Sequence, residues 1–488
     1  MAKTMKAKGP TKCKRKAKAT KPKGEGPQIL SKKTEEVRVL HPNAAGIDIG
    51  STELWVSVGE EQKVHVFKSF TDDVIDLVKL LKEYKVDSVA MEATGSYWMV
   101  LHEYLEAAQI KVSVINGAHL KYVPGRKSDM NDCQWIQFCH RCGLLDSSFV
   151  PPAEIRKLRT YQRLRDDHKG HASGAIQLMH KALDQMNIKV HTVISQIMGV
   201  SGLRIVEAIL AGERNPVKLA DLCDKQIQKT KRERLERSLK GTWREEFIFA
   251  LGQALQTYQY YQRQMVACDA EIEKQLNKII ADKPPQETEV GQQEAAKEPR
   301  KEVRHNRPHI DQLGQKLLRL TDGRDATTIP GFTDKTFLKL ISEVGLDMTR
   351  WKSAKHFTSW LGLAPKHSQS GKKRRHLYHT HKNHAGQVFR MAATPLGRDC
   401  DVGLSGFYRR KKFQKCSGIA IMATARKLAV MYYNLMIHGK DFVEHGLAAW
   451  EQARQEKEEK KLKQKAAEHG YELVPIPTSY NLKTAPVS

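Results

Sequence analysis

A carboxylate set inside an apolar strand constrains this chain more than any other feature. In Ala45-Gly46-Ile47-Asp48-Ile49-Gly50-Ser51 an aspartate stands between two isoleucines, with a glycine on each side of the triplet. Ile-Asp-Ile reads as a buried strand that ends at Gly50, where the chain turns. An ionised carboxylate is costly to bury unless it is paired or holds a metal. Asp48 is therefore a candidate site residue. The competing reading is an aspartate capping a turn, and the strand alone does not choose between them.

The residues that follow supply the context. Strand patterns at 46–49, 54–58 and 64–70 come first. Thr71 then fits an N-cap, and Val74, Leu77, Val78 and Leu81 mark an amphipathic helix to about Tyr84. A fourth strand at 88–91 runs into Glu92-Ala93-Thr94-Gly95, and a second helix extends to about Ala108. A fifth strand at 111–115 precedes a last helix that opens near Asp129 and runs to Leu144. Three strands, then helix, strand, helix, strand, helix is the order of the ribonuclease-H-like fold. It places Asp48 on the first strand and Glu92 at the end of the fourth. Asp129 and Asp132, spaced i and i+3, share one face of the last helix. In such sheets functional groups gather at strand ends. Four carboxylates there make an oxygen-rich site suited to Mg²⁺ or Mn²⁺, and two such ions stabilise both oxygens of a phosphoryl displacement. For any single acid the simpler reading is a helix cap or a surface residue.

Charge points to the partner. The chain has 488 residues, with 82 Lys+Arg against 55 Asp+Glu, for a net charge of +27. Such a balance favours a polyanion, most often nucleic acid. Residues 1–33 carry twelve Lys/Arg and one acid, so residues 1–43 read as a basic, disordered tail with sequence-blind phosphate contacts. The Lys-rich start lacks the apolar core of a signal peptide, and no apolar run is long enough for a membrane span, so a soluble intracellular protein is expected. Eight cysteines in so long a chain make no disulfide scaffold. Cys139-His140-Arg141-Cys142 lacks a second pair at zinc spacing and falls in an apolar helix pattern, which predicts buried free thiols.

Residues 44–150 thus form an α/β domain. Residues 153–280 change to helical spacing, through Leu158, Tyr161, Leu164, Ile176, Met179, Leu183 and Met186 and then a Gln-, Glu- and Lys-rich stretch at 257–280. This predicts long helices in an antiparallel or intermolecular coiled coil, with a helix-to-helix turn at 211–216. Residues 281–309 hold four prolines among polar residues and read as a flexible linker. Residues 310–445 are basic and mostly helical, and 446–488 form a charged tail. Within the basic region, Thr328-Ile329-Pro330-Gly331-Phe332 reads as half of a helix-hairpin-helix, in which Gly331 would offer backbone N–H groups to a phosphate. Thr333 stands where the second glycine is usual. Farther on, Ser368-Gln369-Ser370-Gly371 is followed by Lys372, Lys373, Arg374 and Arg375. That run suits a scissile phosphate, while residue types alone favour a solvated loop touching backbone phosphates. His376, His379, His381 and His384 lack the usual zinc pattern and fit a basic strip beside nucleic acid.

Several separated segments together resemble one family. They are the Asp48 strand, Met91-Glu92-Ala93-Thr94-Gly95, Lys127-Ser128-Asp129-Met130-Asn131-Asp132, Gly199-Val200-Ser201-Gly202, Ala211-Gly212-Glu213-Arg214, Ile329-Pro330-Gly331, and Gly362-Leu363-Ala364-Pro365 with Gln369-Ser370-Gly371. In this order, over residues 44–435, they look like the DEDD transposases of the insertion-sequence 110 family, the bridge-RNA-guided recombinases of bacterial and archaeal mobile elements. The resemblance implies a RuvC-like N-terminal domain, a coiled coil and a C-terminal transposase domain. Asp48, Glu92, Asp129 and Asp132 fall on the family's acidic tetrad and Ser370 on its nucleophile, with Ser368 close by. It further implies Mg²⁺ or Mn²⁺, donor and target DNA, a non-coding guide RNA, a homo-oligomer that assembles acids and serine from different domains, and a nucleoid-associated, cytoplasmic, prokaryotic setting. The basic tail and the 281–309 linker depart from the family pattern.

Other classes share parts of this reading. A metal-dependent junction nuclease would use the same acids with water as nucleophile. Gly46-Ile47-Asp48-Ile49-Gly50-Ser51-Thr52 also resembles the first phosphate loop of actin-like sugar kinases, but the second loop is missing and the charge is wrong. A non-catalytic nucleic-acid scaffold would leave the four acids without a role.

Overall fold

The computed structural model describes residues 38–117, 132–282, 306–370, 373–377, 383–397, 403–439, 456, 459–460 and 462–472, with the backbone alone at 366–370 and 373–377. The basic tail, most of the proline-rich linker and Asp129 lie outside the described residues. The chain divides into two compact units, one ending at Val150 and the other starting at Pro151.

The first unit is built on a five-stranded sheet. Its strands are β1 (Ala44–Ile49), β2 (Glu53–Val58), β3 (Lys63–Lys68), β4 (Ser88–Glu92) and β5 (Lys111–Ile115), in spatial order β3-β2-β1-β4-β5. β1, β2 and β3 pair antiparallel, whereas β1, β4 and β5 run parallel. This is the predicted ribonuclease-H-like arrangement. Helix α1 (Thr71–Glu83) joins β3 to β4, and α2 (Trp98–Ala107) joins β4 to β5. Thr71 is the first helical residue of α1 and not its cap. Phe70 holds that position without a side-chain hydrogen bond, and Asp72 and Asp73 in the first turn favour the helix dipole instead.

Strand pleating divides the residues of β1 between two faces. Ala45, Ile47 and Ile49 pack with Leu77 and Leu81 of α1 and with Leu101 and Leu105 of α2. Each fully buried Leu or Ile of this core contributes roughly 1.5–3 kcal/mol. Gly46 and Asp48 belong to the other face, which is covered by α3 (Asp132–Arg141). There Trp135, Ile136 and Cys139 pack with Ala90 and Ile115. Gln137, wholly enclosed, fixes α3 to the sheet: its amide donates to the Ala44 and Gly59 carbonyls, both at 2.9 Å, and it accepts from the Ser57 hydroxyl at 2.5 Å. Cys139 is a buried free thiol, as its helix pattern predicts, and burial pushes it up to about 12, whereas Cys142 is free but only half-buried at the end of α3.

Two long helices frame the second unit, α4 (Ala153–Gln185) and, after the shorter α5 (Val200–Leu210), α6 (Pro216–Asp221) and α7 (Lys225–Ser238), α8 (Glu245–Ala281). The long helices pack antiparallel within one chain. Glu154 meets Gln275, Arg165 meets Asp269, and His171 stacks on Tyr261 with ring centroids 5.0 Å apart. α8 starts twelve residues before the helical stretch read at 257–280, because Phe247, Ile248, Leu251, Ala254 and Leu255 join a core with Met179, Leu183 and the short helices. At the predicted turn, Gly212 has a positive φ, and Asn215 caps α6 by accepting from the Val217 N–H.

Beyond residue 306 come α9 (Leu313–Leu320), α10 (Asp334–Val344), α11 (Ala354–Trp360), strands β6 (Lys366–Ser370) and β7 (Lys373–Leu377), then α12 (His384–Ala393), α13 (Gly403–Gln414) and α14 (Ser417–His438). An aromatic cluster of Phe332, Phe337, Phe357, Phe389 and Tyr432 forms the core here. The β6–β7 hairpin corrects the purely helical and loop reading of this stretch. Its sequence, Lys-His-Ser-Gln-Ser and Lys-Arg-Arg-His-Leu, carries almost no apolar alternation from which a strand could be read.

Candidate functional site

The sheet sets Asp48 and Glu92 side by side along the backbone at one end of its central strands, and α3 brings Asp132 up to Asp48. In the parallel β1–β4 pair Ile47 lies opposite Met91, so the same register sets Asp48 beside Glu92 at the C-terminal ends of both strands. Gly46 and Asp48 on β1 share a face, as do Ala90 and Glu92 on β4, and α3 covers that face. Asp132 is the first residue of α3. The approach of α3 depends on Gly46: a Cβ there would lie 2.2 Å from the Cys133 carbonyl oxygen and 2.3 Å from the Gln137 nitrogen. A glycine two residues before the aspartate is thus what lets the first turn of α3, and Asp132 with it, come down beside Asp48.

Asp48 is half-buried, and its carboxyl is held above the usual range, first by burial and then by the negative charge of Asp132; a backbone hydrogen bond at Ile49 opposes this. Asp132 is exposed at the rim. The Glu92 carboxylate lies over Gly117, just beyond β5, where a Cβ would come within 1.9 Å of its Oε1. Gly117 and Gly46 are positioning residues that the reading for acids passed over. Their sequence signals differ: Gly46 is a glycine inside a strand, a mark of close backbone approach, and Gly117 stands just after one.

Asp129 falls outside the described residues. Among the described residues, no three His, Cys, Asp or Glu side chains are close enough to hold a metal ion. The chemistry of the donors nevertheless fits a hard divalent cation. Asp48 and Asp132 repel each other, and a cation between like charges relieves that cost. Cys133 does not compete as a soft ligand, because burial pushes its thiol up to about 11.

In the second unit, Ser370 is the last paired residue of β6 and lies opposite Lys373, at the mouth of a two-residue connection. Ser368 lies opposite Arg375, and Gln369 opposite Arg374. Alternation along a strand puts Ser368, Ser370, Lys373 and Arg375 on one face of the hairpin and Arg374 on the other. Gly371 and Lys372 lie outside the described residues, as do His379 and His381. Gly331 has φ +82° and abuts α12, where a Cβ would sit 2.6 Å from the Ala392 carbonyl oxygen. Both the left-handed backbone and the closeness of α12 exclude a side chain here. Thr333, standing where the motif's second glycine would, caps α10 by accepting from the Thr336 N–H.

Comparison with protein families gives two matches. A family described as a transposase, of the DEDD type of IS110 elements, matches residues 45–188, a span that includes all four acids. A second, described as the transposase IS116/IS110/IS902 family, matches residues 324–398, which include Gly331, Ser370 and the cations at 372–375. No curated protein matches the chain.

Proposed function

Because this chain belongs to the IS110 family of DEDD transposases and is a DNA-acting transposase or recombinase, we propose that it exchanges DNA strands through a covalent serine–phosphate intermediate. In this reading Asp48, Glu92, Asp129 and Asp132 hold the divalent metal that a DEDD domain implies, and Ser370 is the nucleophile. The observation that carries it is the uncompensated pair of Asp48 and Asp132, with the parallel β1–β4 register setting Glu92 beside Asp48 along the backbone.

The Ser370 oxygen attacks the scissile phosphorus. A P–Oγ bond forms, the bond to the 3′ oxygen breaks, and the serine proton leaves as the 3′ hydroxyl gains one. The product is a 5′-phosphoserine link, and attack by the 3′ hydroxyl of a partner strand reverses the step with the number of phosphodiester bonds unchanged. Mg²⁺ or Mn²⁺, when bound, supplies Lewis-acid polarisation of the scissile phosphate. Lys373, opposite Ser370 in the hairpin register, stabilises charge on the phosphoryl oxygens together with Arg375 of the same face, while Lys372 and Arg374 contact neighbouring backbone phosphates. Burial and the Asp132 charge hold the Asp48 carboxyl above its usual range, and a divalent cation bound there would offset both. The remaining partners in this reading are donor and target DNA, a non-coding guide RNA and further copies of the chain, in the cytoplasm at the nucleoid. Among the described residues, no helix is long and apolar enough to cross a membrane.

The test is to trap the reaction on DNA, digest with protease and map the nucleotide-bearing residue by mass spectrometry. Ser370→Ala is expected to bind DNA yet yield neither adduct nor recombinant, whereas Ser368→Ala keeps substantial activity. A nucleotide on Ser368 would move the nucleophile by two residues. Nicked DNA with no adduct from the unaltered protein would replace the mechanism by hydrolysis.

A further inference from the structure

Between Val402 and His438 the chain carries seven Lys/Arg and no Asp or Glu. α13 and α14 fold this stretch into a helical corner. Leu404, Ser405 and Tyr408 anchor the first half of α13, while residues 409–419, apart from Lys411, are exposed. Phe413 is 95 % exposed, the most exposed large apolar side chain described. Its helical neighbours at i−4 and i−3 are Arg409 and Arg410, with Lys412 and Lys415 flanking it. Phe407, on the same helix, is by contrast satisfied inside the fold, with the Lys427 ammonium 4.4 Å and the Arg410 guanidinium 5.8 Å from its ring. A phenylalanine in full contact with water, among cations and on a stretch that carries no carboxylate, fits a partner that offers phosphates and an aromatic face together. Unstacked nucleobases in a DNA strand do so.

We infer that the α13–α14 corner is a DNA-binding element in which Arg409, Arg410, Lys412 and Lys415 contact phosphates and Phe413 stacks on a base unpaired during strand exchange. Positive charge selects the backbone without regard to sequence, and the ring selects for disrupted over intact duplex. The inference rests on the chain acting on DNA and is independent of which residue is the nucleophile.

Equilibrium binding of the full chain to a matched duplex and to a fork with 2-aminopurine in its unpaired arm tests it. Phe413→Ala is expected to lose about tenfold in fork affinity and the quenching of 2-aminopurine, with duplex affinity and salt slope unchanged. Phe413→Trp should restore both. Arg409→Gln with Arg410→Gln should weaken fork and duplex alike and flatten the salt dependence. Because Phe413 is exposed, its replacement leaves the fold intact, which a melting curve checks. Ser370→Ala should retain the fork preference, so that failure of the serine mechanism and failure of this inference are told apart. Wild-type fork affinity in Phe413→Ala would overturn it, as would an equal loss on fork and duplex. A loss seen only with RNA of the same sequence would overturn the assignment to DNA. A change in sedimentation with fork preference retained would assign Phe413 to an interface between copies and overturn it too.

Discussion

Two aspartates taken out of water in this chain are treated in opposite ways. Asp269 on α8 is enclosed with Arg165 of α4, each about 1 % exposed. Arg165 Nε donates to Asp269 Oδ1 and Nη2 to Oδ2 at 3.1 Å, and the His309 N–H donates to Oδ2 at 3.0 Å. Arg165 also donates to the Arg307 carbonyl at 3.2 Å, which ties the segment after residue 306 to the long helices. Asp48 on β1 has no Lys or Arg ion pair among the described residues; its charged neighbour is Asp132. The first arrangement satisfies a buried charge and fixes helix register. The second keeps like charges together at a strand end. Asp269 is buried with its charge compensated, whereas half-buried Asp48 is left uncompensated, and it is the second arrangement that the proposed metal role uses.

The difference is sharpest when each aspartate is removed. Asp48→Asn, Glu92→Gln and Asp132→Asn are each expected to cut DNA-strand cleavage on the order of a thousandfold or more while melting no lower than the wild type. Near-normal cleavage by one of them would take that residue out of the site. Asp269→Ala should do the reverse, costing about 3–5 kcal/mol of stability in denaturant titration by stranding the Arg165 guanidinium. Arg165→Met with Asp269→Leu should recover most of that loss. Equal destabilisation by the double and single replacements would mean the pair matters for more than its charge.

Glycines in the two regions extend the contrast on a smaller scale. Gly46→Ala drives a Cβ into the α3 backbone and should cost about 1–3 kcal/mol or more, with lost cleavage as Asp132 moves from Asp48. Gly170 and Gly174 on α4 have nothing within 4 Å of where a Cβ would stand, so Gly174→Ala should add up to about 1 kcal/mol to stability. A neutral Gly46→Ala would show that α3 shifts freely on the sheet. The smallest effect is a pH dependence. Asp48 has its folded value raised above 3.8, so its ionisation weakens the fold as pH rises from the unfolded value through the folded one. Asp48→Asn should therefore melt slightly higher than wild type at neutral pH, and the gain should vanish below pH 3.8. A gain that persists in acid would trace to something other than that charge.

Much of the first unit was legible because its signals are local. Apolar alternation at β1, β2 and β5 and the helical stripe Val74, Leu77, Leu81 each report a period that one segment carries alone. The hairpin holding Ser370 was not legible, since Lys366–Ser370 and Lys373–Leu377 are polar and become strands only by pairing with each other. The same holds for α8, whose first twelve residues are recruited by the core around Leu183 and Ile209.

By itself the sequence determined the order of strands and helices, the excess of positive charge, and the residue types at Asp48, Glu92, Asp129, Asp132 and Ser370. Those properties are written one residue or one period at a time. Tertiary structure alone decided which face of β1 carries Asp48, that Gly46 admits the α3 backbone, and that Asp132 rather than a cation meets the carboxylate. It also decided that Phe407 finds its cations within the fold while Phe413 is left in water. Proximity between residues far apart in the chain comes from strand register and packing, and neither is a property of any single segment.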